Sequence, residues 1–443
     1  MKMHHWSDSP TLRFTAPVIA ENMATTSINM VVSSIIGGIS ASALAGVGLV
    51  NSFLNVITAA AAFLTTGAAV LVARIAGEGD ERETSRAVGQ AFLLAVLFGV
   101  AIMAICEILS APIVKLMMNS SDENVLREGL IYYRTMIASF PLLLIANTMG
   151  GALRATGDAA PVMRGMIVMN LVQLLCVWLF VGRMGMEVAG AGLAHGVCRL
   201  TGAGLMIFAC ATGHRKFRFR IRTALKPDRA LIKRISRLGI PTMTESVSVQ
   251  LAYLIANSMA MGLGTHEAGV YQVANTLNSF TSLPQSISSV AVITLVGQAL
   301  GSKDYQRAGK LQRNVLTVAL ICSMTLATAI AAFGFPLAGL YTRDASVQAE
   351  SARLMWLMTG FALFGTILNA NDPVLRTAGD VKYVMAYTMF SVWLVRLPLT
   401  YLMAYVLKWG AFGVQLANIL SLAVRAAFDL CRIHKGKWLY LKV

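Results

Sequence analysis

Charge is what this sequence has least of. Only 13% of its 443 residues are Asp, Glu, Lys or Arg, where a soluble domain carries about a quarter. An ordinary water-soluble globule of this length is thereby excluded. Acids are scarcer than bases, 21 Asp and Glu against 37 Lys and Arg. The six cysteines (Cys106, Cys176, Cys198, Cys210, Cys322 and Cys431) sit singly within or at the end of apolar runs. They form no C-x-x-C or metal-like cluster, so they are read as small hydrophobes. No G-x-x-x-x-G-K-[ST] stretch is present, which argues against ATP hydrolysis by this chain. No metal-ligand set and no nucleophile–base constellation appears, and neither a cofactor nor an enzymatic activity is expected. Alternating segments of the porin type are also missing, which argues against a barrel. The opening MKMHHWSDSP lacks the order of a signal peptide.

What is there is apolar length. Hydrophobic residues make up 56% of the chain, in stretches long enough to cross about 30 Å of hydrocarbon as helices. The pattern predicts an all-α membrane protein with twelve spans, at 14–37, 47–73, 87–110, 128–149, 160–182, 188–212, 238–261, 271–297, 311–334, 350–371, 382–406 and 411–431. The net charge of +16 concentrates in residues 213–237, which include Arg215, Lys216, Arg218, Arg220, Arg222, Lys226, Arg229, Lys233, Arg234 and Arg237. With both termini cytoplasmic, this block falls on the side where the positive-inside rule wants it. It reads as a topology signal and linker that meets anionic lipid headgroups rather than nucleic acid.

The chain contains one unit twice. Shifted by 224 residues, Pro17 meets Pro241, Glu21 meets Glu245, Gly38 meets Gly262, Asn51 meets Asn275, Gly77 meets Gly301 and Asp80 meets Asp304. At an offset of 222, Asn147 meets Asn369, Arg154 meets Arg376 and Asp158 meets Asp380. Six spans per unit is an even number, so both copies enter the bilayer from the same side, as parallel repeats. The expected organisation is an N-terminal six-helix lobe (1–212), a basic cytoplasmic linker (213–237) and a C-terminal six-helix lobe (238–443). Such transporters bind substrate between lobes and rock them to alternate access.

The hexapeptides L-R-A-T-G-D (153–158) and L-R-T-A-G-D (375–380) fall where one span ends and the next begins. The spacing predicts Arg154 and Arg376 in last turns, Gly157 and Gly379 as left-handed helix stops, and Asp158 and Asp380 as N-caps. The segments Gly77–Asp80 and Gly301–Asp304 are expected to close their loops in the same way. A structural or gating role is favoured for all of these over substrate contact.

Acids inside spans are functional candidates because a charge in hydrocarbon is expensive. Glu21 and Glu245 each lie one turn after a proline, either stabilising a helix end or forming a lobe-symmetric pair that takes up a proton or cation. Asp372 has no acidic counterpart, since the register places Gly150 there. It is either a cap beside Pro373 or a titratable site, with Glu245, Asn275 and Arg396 as candidate partners and Asn369 one turn away. Asn51 and Asn275 are either cleft-facing polar groups or interhelical hydrogen bonds. Arg396 is expected in a structural ion pair. Arg425 and Asp429, spaced i, i+4, are expected to pair with each other. His195 is read as a packing residue, and Arg134, Arg199 and Glu107 are left unassigned.

These features resemble the multidrug and toxic compound extrusion (MATE) family. The resemblance rests on twelve spans in two halves, on "GALRATGD" and "LRTAGD", on "GQALGSKDYQRAG" (297–309) and on "WLVRLPLTYL" (393–402). It implies a monomeric exporter of organic, often cationic compounds, driven by H⁺ or Na⁺ entry across the plasma (bacterial inner) membrane. Many members carry an aspartate in span one about five residues before its closing glycine. Here Val32 stands in that place, so the coupling role must sit elsewhere or be absent. The rival readings are a lipid-linked oligosaccharide flippase, which should line its cavity with several arginines, and a channel or scaffold, which needs no acids within its spans.

Overall fold

The computed structural model describes residues 41–118, 123–212 and 226–440, with Val18, Thr25, Phe217, Phe219 and Ala224 as isolated positions. Every regular element among them is helical, as hydrocarbon demands when backbone polar groups can find partners only inside the segment. In chain order these are α1 (Ala41–Glu78), α2 (Glu81–Ile108), α3 (Ser110–Met118), α4 (Glu123–Ala138), α5 (Phe140–Ala155), α6 (Ala160–Arg183), α7 (Glu187–Thr212) and α8 (Arg229–Met261). They continue as α9 (Thr265–Asn278), α10 (Ser282–Gly301), α11 (Tyr305–Ala332), α12 (Gly334–Ala338), α13 (Ala345–Ala378), α14 (Val381–Val406) and α15 (Gly410–His434).

Among the described residues, nine helical segments are long and apolar enough to cross a membrane, or ten if the bent pair α4–α5 is one span. The seventh expected span lies within α8, whose basic first turns extend it well before residue 238. The first, with Glu21 and Val32, lies outside the described residues apart from Val18 and Thr25. Two compact units divide after Gly239, and α8 runs across that division.

The bend of 43° between α4 and α5 has a local cause. Pro141 supplies no amide to the preceding turn, and the helix breaks at Ser139. At the break the Met136 carbonyl and the Ser139 hydroxyl accept Arg199 Nη1 at 2.7 and 2.8 Å. The unassigned Arg199 is thus a brace for a broken span. Arg134 and Glu107 form a half-exposed pair at 3.2 Å. His195 packs beside Tyr132 and meets Gln173 at 3.3 Å, in keeping with a packing role.

Lipid is as apolar as leucine, so close packing rather than hydrophobicity holds spans together. Helix α2 shows how. Ala87, Ala91 and Ala95 are buried at i, i+4 and i+8, and Gly99 continues the stripe. A Cβ at Gly99 would lie 2.8 Å from Pro141 Cα on α5, so Gly99→Leu would force the two helices apart. The opposite face, with Leu97, Ile105 and Ile108, is exposed and suits acyl chains.

The loop motifs close as expected in outline, with two corrections. Asp158, Asp304 and Asp380 each donate their backbone amide to the carbonyl five residues earlier, Leu153, Ala299 and Leu375. This is the Schellman closure, and Gly157 and Gly379 take the left-handed conformation it needs. At the other two loops the left-handed residue is Gly79 or Lys303, not Gly77 or Gly301, which remain helical. Asp80 caps α2 by accepting from the Arg82 and Glu83 amides, and Asp304 caps α11 through Arg307. Asp380 makes no cap bond. Its carboxylate instead takes Arg432 at 2.7 Å, a stronger charge-assisted partner. The helix after Asp158 starts from Ala159, also without a side-chain cap.

Candidate functional site

Four helices of the second unit bring ionisable groups together. Helix α8 continues through Pro241 and places Glu245 one turn later. Helix α13 likewise runs unbroken through Pro373 to Ala378, so Asp372 is not a cap at a helix end. A proline inside a helix removes one amide and clashes with the turn before it, and such a turn persists only where the surroundings hold it.

Asp372 is buried. Its Oδ1 accepts the Tyr387 hydroxyl from α14, and its Oδ2 lies 3.1 Å from Arg425 Nη2 on α15. Glu245 is buried too, with both oxygens held by Arg376 Nη2 at 3.0 and 2.9 Å. The Thr388 hydroxyl donates to Glu245 Oε1 at 3.2 Å, and Arg425 Nη2 stands 3.6 Å from the same oxygen. Arg425 therefore links the two acids. Of the partners expected for Asp372, only Glu245 belongs to the cluster, and it is joined through an arginine. Asn275 and Arg396 are elsewhere.

Asp429 is 0% exposed, and neither of its carboxyl oxygens has a hydrogen-bond partner among the described residues. The expected Arg425–Asp429 pair does not form, because Arg425 turns to Asp372 and Glu245. Asp429 still feels the charge of Asp372, the Asn371 side chain within reach of its carboxyl, and the charges of Arg425 and Arg376. Beside it, Asn371 accepts Gln312 Nε2 at 2.7 Å, while its own Nδ2 is unpartnered. Three carboxylates, Glu245, Asp372 and Asp429, thus share two guanidinium groups, Arg376 and Arg425, away from water. With every acid ionised the cluster carries one uncompensated negative charge, which low-dielectric surroundings make expensive.

The remaining candidates are separate. Asn51 accepts the Tyr132 hydroxyl at 3.4 Å and Asn275 accepts Gln415 Nε2 at 2.8 Å, both as interhelical hydrogen bonds. Asn369 donates to the Gly365 carbonyl and to Gln285 Oε1. Glu21 lies outside the described residues. Arg396 has no carboxylate partner among the described residues; its guanidinium lies 3.9 Å from the centroid of the Tyr253 ring. The expected ion pair gives way to a cation–π stack.

Sequence reasoning missed Tyr387 and Thr388, and it missed the roles of Arg376, Arg425 and Asp429. For Arg425 a signal was present: a base within an apolar run needs an acid, and Asp372 was the acid without a symmetric counterpart. Tyr387 gave no signal beyond its place in a span.

Helices built to span a bilayer around a buried, charge-unbalanced cluster define a polytopic membrane transporter. The chain matches the MatE family over residues 17–179 and 241–402, and it belongs to that family. It is 24% identical over 435 residues to the "Probable multidrug resistance protein NorM" of Thermotoga maritima, covering 96% of this chain and 92% of that one. It is 25% identical over 437 residues to the multidrug resistance protein NorM of Photobacterium profundum, covering 96% and 94%. Its fold is similar to that of a multidrug resistance MATE family transporter of the MOP superfamily in an outward-facing conformation. There the TM-score is 0.90 at 19% identity, over 97% of this chain and 96% of that one.

Proposed function

We propose that this protein is a secondary exporter of organic, cationic or amphipathic compounds, driven by proton entry through the Glu245–Asp372–Asp429 cluster. Rocking of the two lobes would alternate access, in a plasma membrane with both termini cytoplasmic. The observation that carries the reading is the buried excess of one carboxylate over the guanidinium groups around it, with Asp429 in no ion pair among the described residues. A proton on that carboxyl balances the cluster, and its loss unbalances it, so the two protonation states favour different arrangements of the surrounding helices. Such a difference in free energy is what coupling requires.

The donor set favours H⁺ over Na⁺. Both oxygens of Glu245 are engaged by Arg376, and those of Asp372 by Tyr387 and Arg425. Among the described residues, Asp429 alone of the three acids has no ion pair and has Asn371 as its polar neighbour, which suffices for a proton but is meagre for a cation that prefers several oxygen ligands. A flippase is disfavoured because the buried arginines of the cluster are already matched to acids and offer no bare cationic lining for a pyrophosphate.

The test is efflux of a cationic dye from proteoliposomes under an imposed pH gradient or an imposed Na⁺ gradient, applied separately. Export should follow the pH gradient alone and be lost in Asp429→Asn. Export driven only by Na⁺, or unchanged in that variant, would overturn the proposal.

A further inference from the structure

The second repeat holds one residue more than the first, and the extra residue sits beside the Glu245–Asp372–Asp429 cluster. Val162 and Met163 meet Val384 and Met385 at the offset of 222, whereas Leu171, Val172, Leu174 and Leu179 meet Leu394, Val395, Leu397 and Leu402 at 223. The backbone agrees. Met184 and Met186 donate to the Leu179 and Phe180 carbonyls, and Leu407 and Trp409 donate to those of Leu402 and Met403, the same two bonds one repeat later. The addition therefore falls between Met385 and Leu394. Both α6 and α14 end in a widened π turn, Trp178–Arg183 and Leu402–Val406. Helix α14 has a second one, Phe390–Arg396, where α6 runs as regular α-helix. A π turn closes its bonds five residues apart and so takes up one residue more than an α turn. The flanking parts of α14 keep the register of the repeat, and the inserted residue is stored as the bulge.

Two hydroxyls tie the bulge to α15. Ser391 Oγ donates to the Ser421 carbonyl at 2.7 Å, and Ser421 Oγ donates back to the Ser391 carbonyl at 3.2 Å. Both serines are buried. Tyr387 and Thr388, which donate to Asp372 and Glu245, lie about one turn before Ser391. Arg425, the other partner of Asp372, lies about one turn after Ser421. The clasp therefore joins the two helices that hold Asp372 from either side. Among the described residues the first repeat has neither the bulge nor the clasp. Cys198 stands in the place of Ser421, and Gly150, Gly165 and Met206 stand in those of Asp372, Tyr387 and Asp429. A Cβ at Gly165 would meet the Met206 methyl group, so a packed thioether fills the place of the charges.

We infer that Ser391 and Ser421 are positioning residues for the coupling cluster. Their clasp fixes Tyr387 and Arg425 relative to each other and so sets how firmly Asp372 is held in its ionised form. This rests on the reading of that cluster as the proton site. The charged and titratable groups facing Asp372 are Glu245 from α8, Arg376 from its own helix, Tyr387 from α14, and Arg425 and Asp429 from α15. Tyr383 stands behind Tyr387, ring against ring. Helix α11 contributes the neutral Gln312, which bonds Asn371. Arg396, the last residue of the bulge, stacks on Tyr253 instead. The hydrogen bonds of the two serines go to each other, not to a carboxylate, so each acts through its helix. Hydrogen bonds to an ionised acid favour that form. Donors held less firmly let the cluster take its proton at higher pH.

The test is export of a cationic dye from proteoliposomes over a series of pH values at a constant pH difference. Ser391→Ala and Ser421→Ala should each move the midpoint of export toward alkaline pH by about half a unit to one unit, the worth of one buried hydrogen bond. The double variant should move it no further than either single. Ser421→Cys, a weaker donor of similar size, should move it less. Deleting Trp393, an exposed residue of the bulge, should straighten α14 to the form of α6 and shift the midpoint the same way. A lower rate at an unmoved midpoint, or additive shifts in the double variant, would make the serines ordinary packing and overturn the inference. A second measurement stands apart from transport: thermal unfolding in detergent of Ser421→Ala, Tyr387→Phe and their double variant. These two side chains bond different partners, so a non-additive loss shows that the clasp reaches Tyr387, and an additive one overturns it. No gradient enters that assay, so failure of the clasp is distinct from failure of proton-driven export.

Discussion

Replacing Asp372 by asparagine separates the structural from the coupling role of the buried cluster. Asn keeps the shape and can still accept from Tyr387, but it removes the charge that faces Arg425 at 3.1 Å. The two side chains are only 11% and 8% exposed, so solvent screening gives little reason to discount the pair. Removing one partner of a buried ion pair costs about 3–5 kcal/mol. Arg425 retains Glu245 at 3.6 Å, which brings the expectation down toward the worth of one charge-assisted bond, about 2–3 kcal/mol. For a unit the size of Ile240–Val443, each kcal/mol shifts the melting temperature by about 2–4 °C. The variant should therefore melt roughly 4–12 °C below wild type in detergent. Arg425→Gln should couple to it non-additively in a double-mutant cycle.

The same substitution removes the excess negative charge. The remaining acids, Glu245 and Asp429, then equal the two guanidinium groups, and a proton is no longer required for balance. Dye export in proteoliposomes should lose its dependence on the pH gradient, while dye binding in detergent persists. If Asp372→Asn melts with wild type and shows no coupling to Arg425→Gln, the ion pair is not formed in the protein. If gradient-driven export survives intact, the charge-balance reasoning is wrong.

Asp429→Asn should abolish gradient-driven export with a small loss of melting temperature, because among the described residues the carboxylate it removes forms no ion pair and has only the Asn371 side chain as a polar neighbour; a large drop on thermal scanning would show that Asp429 holds a structural partner. Glu245→Gln should be the least stable of the single carboxyl variants, by about 3 kcal/mol or more, since it strands the Arg376 guanidinium that bridges both carboxylate oxygens; thermal unfolding compared across the three variants gives the order. At the exposed start of α13, the Ser346 hydroxyl and amide hold the Asp344 carboxyl below its usual range. A depressed folded value means that the cap contributes above the ordinary carboxylate pKa and is lost as pH falls through the folded one. Protection of the Ser346 and Val347 amides relative to their intrinsic exchange rates should therefore fall at acidic pH in wild type and not in Asp344→Asn.

Most of the fold was legible because its determinants are local. Apolar length sets a span, and two of the loop closures follow from a glycine that stops the helix, Gly157 and Gly379. Where the reading slipped, a residue with a local option had taken a distant one. Asp380 could cap its own helix but pairs with Arg432, 52 residues on. Arg425 could pair with Asp429 one turn away but reaches Asp372 and Glu245. In a span, neighbours along the helix compete with side chains from every helix packed against it. Desolvation makes the partner with the better geometry win regardless of sequence distance.

The broken symmetry at Asp372 was the exception, a tertiary fact that the sequence did reveal, and the first unit shows its physical basis. A Cβ added at Gly150 would stand 3.4 Å from Val162, 3.6 Å from Met206 Sδ and 3.9 Å from Arg154 Nη2. There is contact for a methyl group but no room for a carboxylate unless Val162 and Met206 repack. The duplicated motif gives both units an arginine four residues further along, Arg154 or Arg376. Only in the second is the place before it occupied by an acid, with Tyr387 and Arg425 as its partners. At this register position one copy has a packing glycine and the other an aspartate, and in the second unit Tyr387, Arg425 and Asp429 complete the charge-unbalanced cluster around that aspartate.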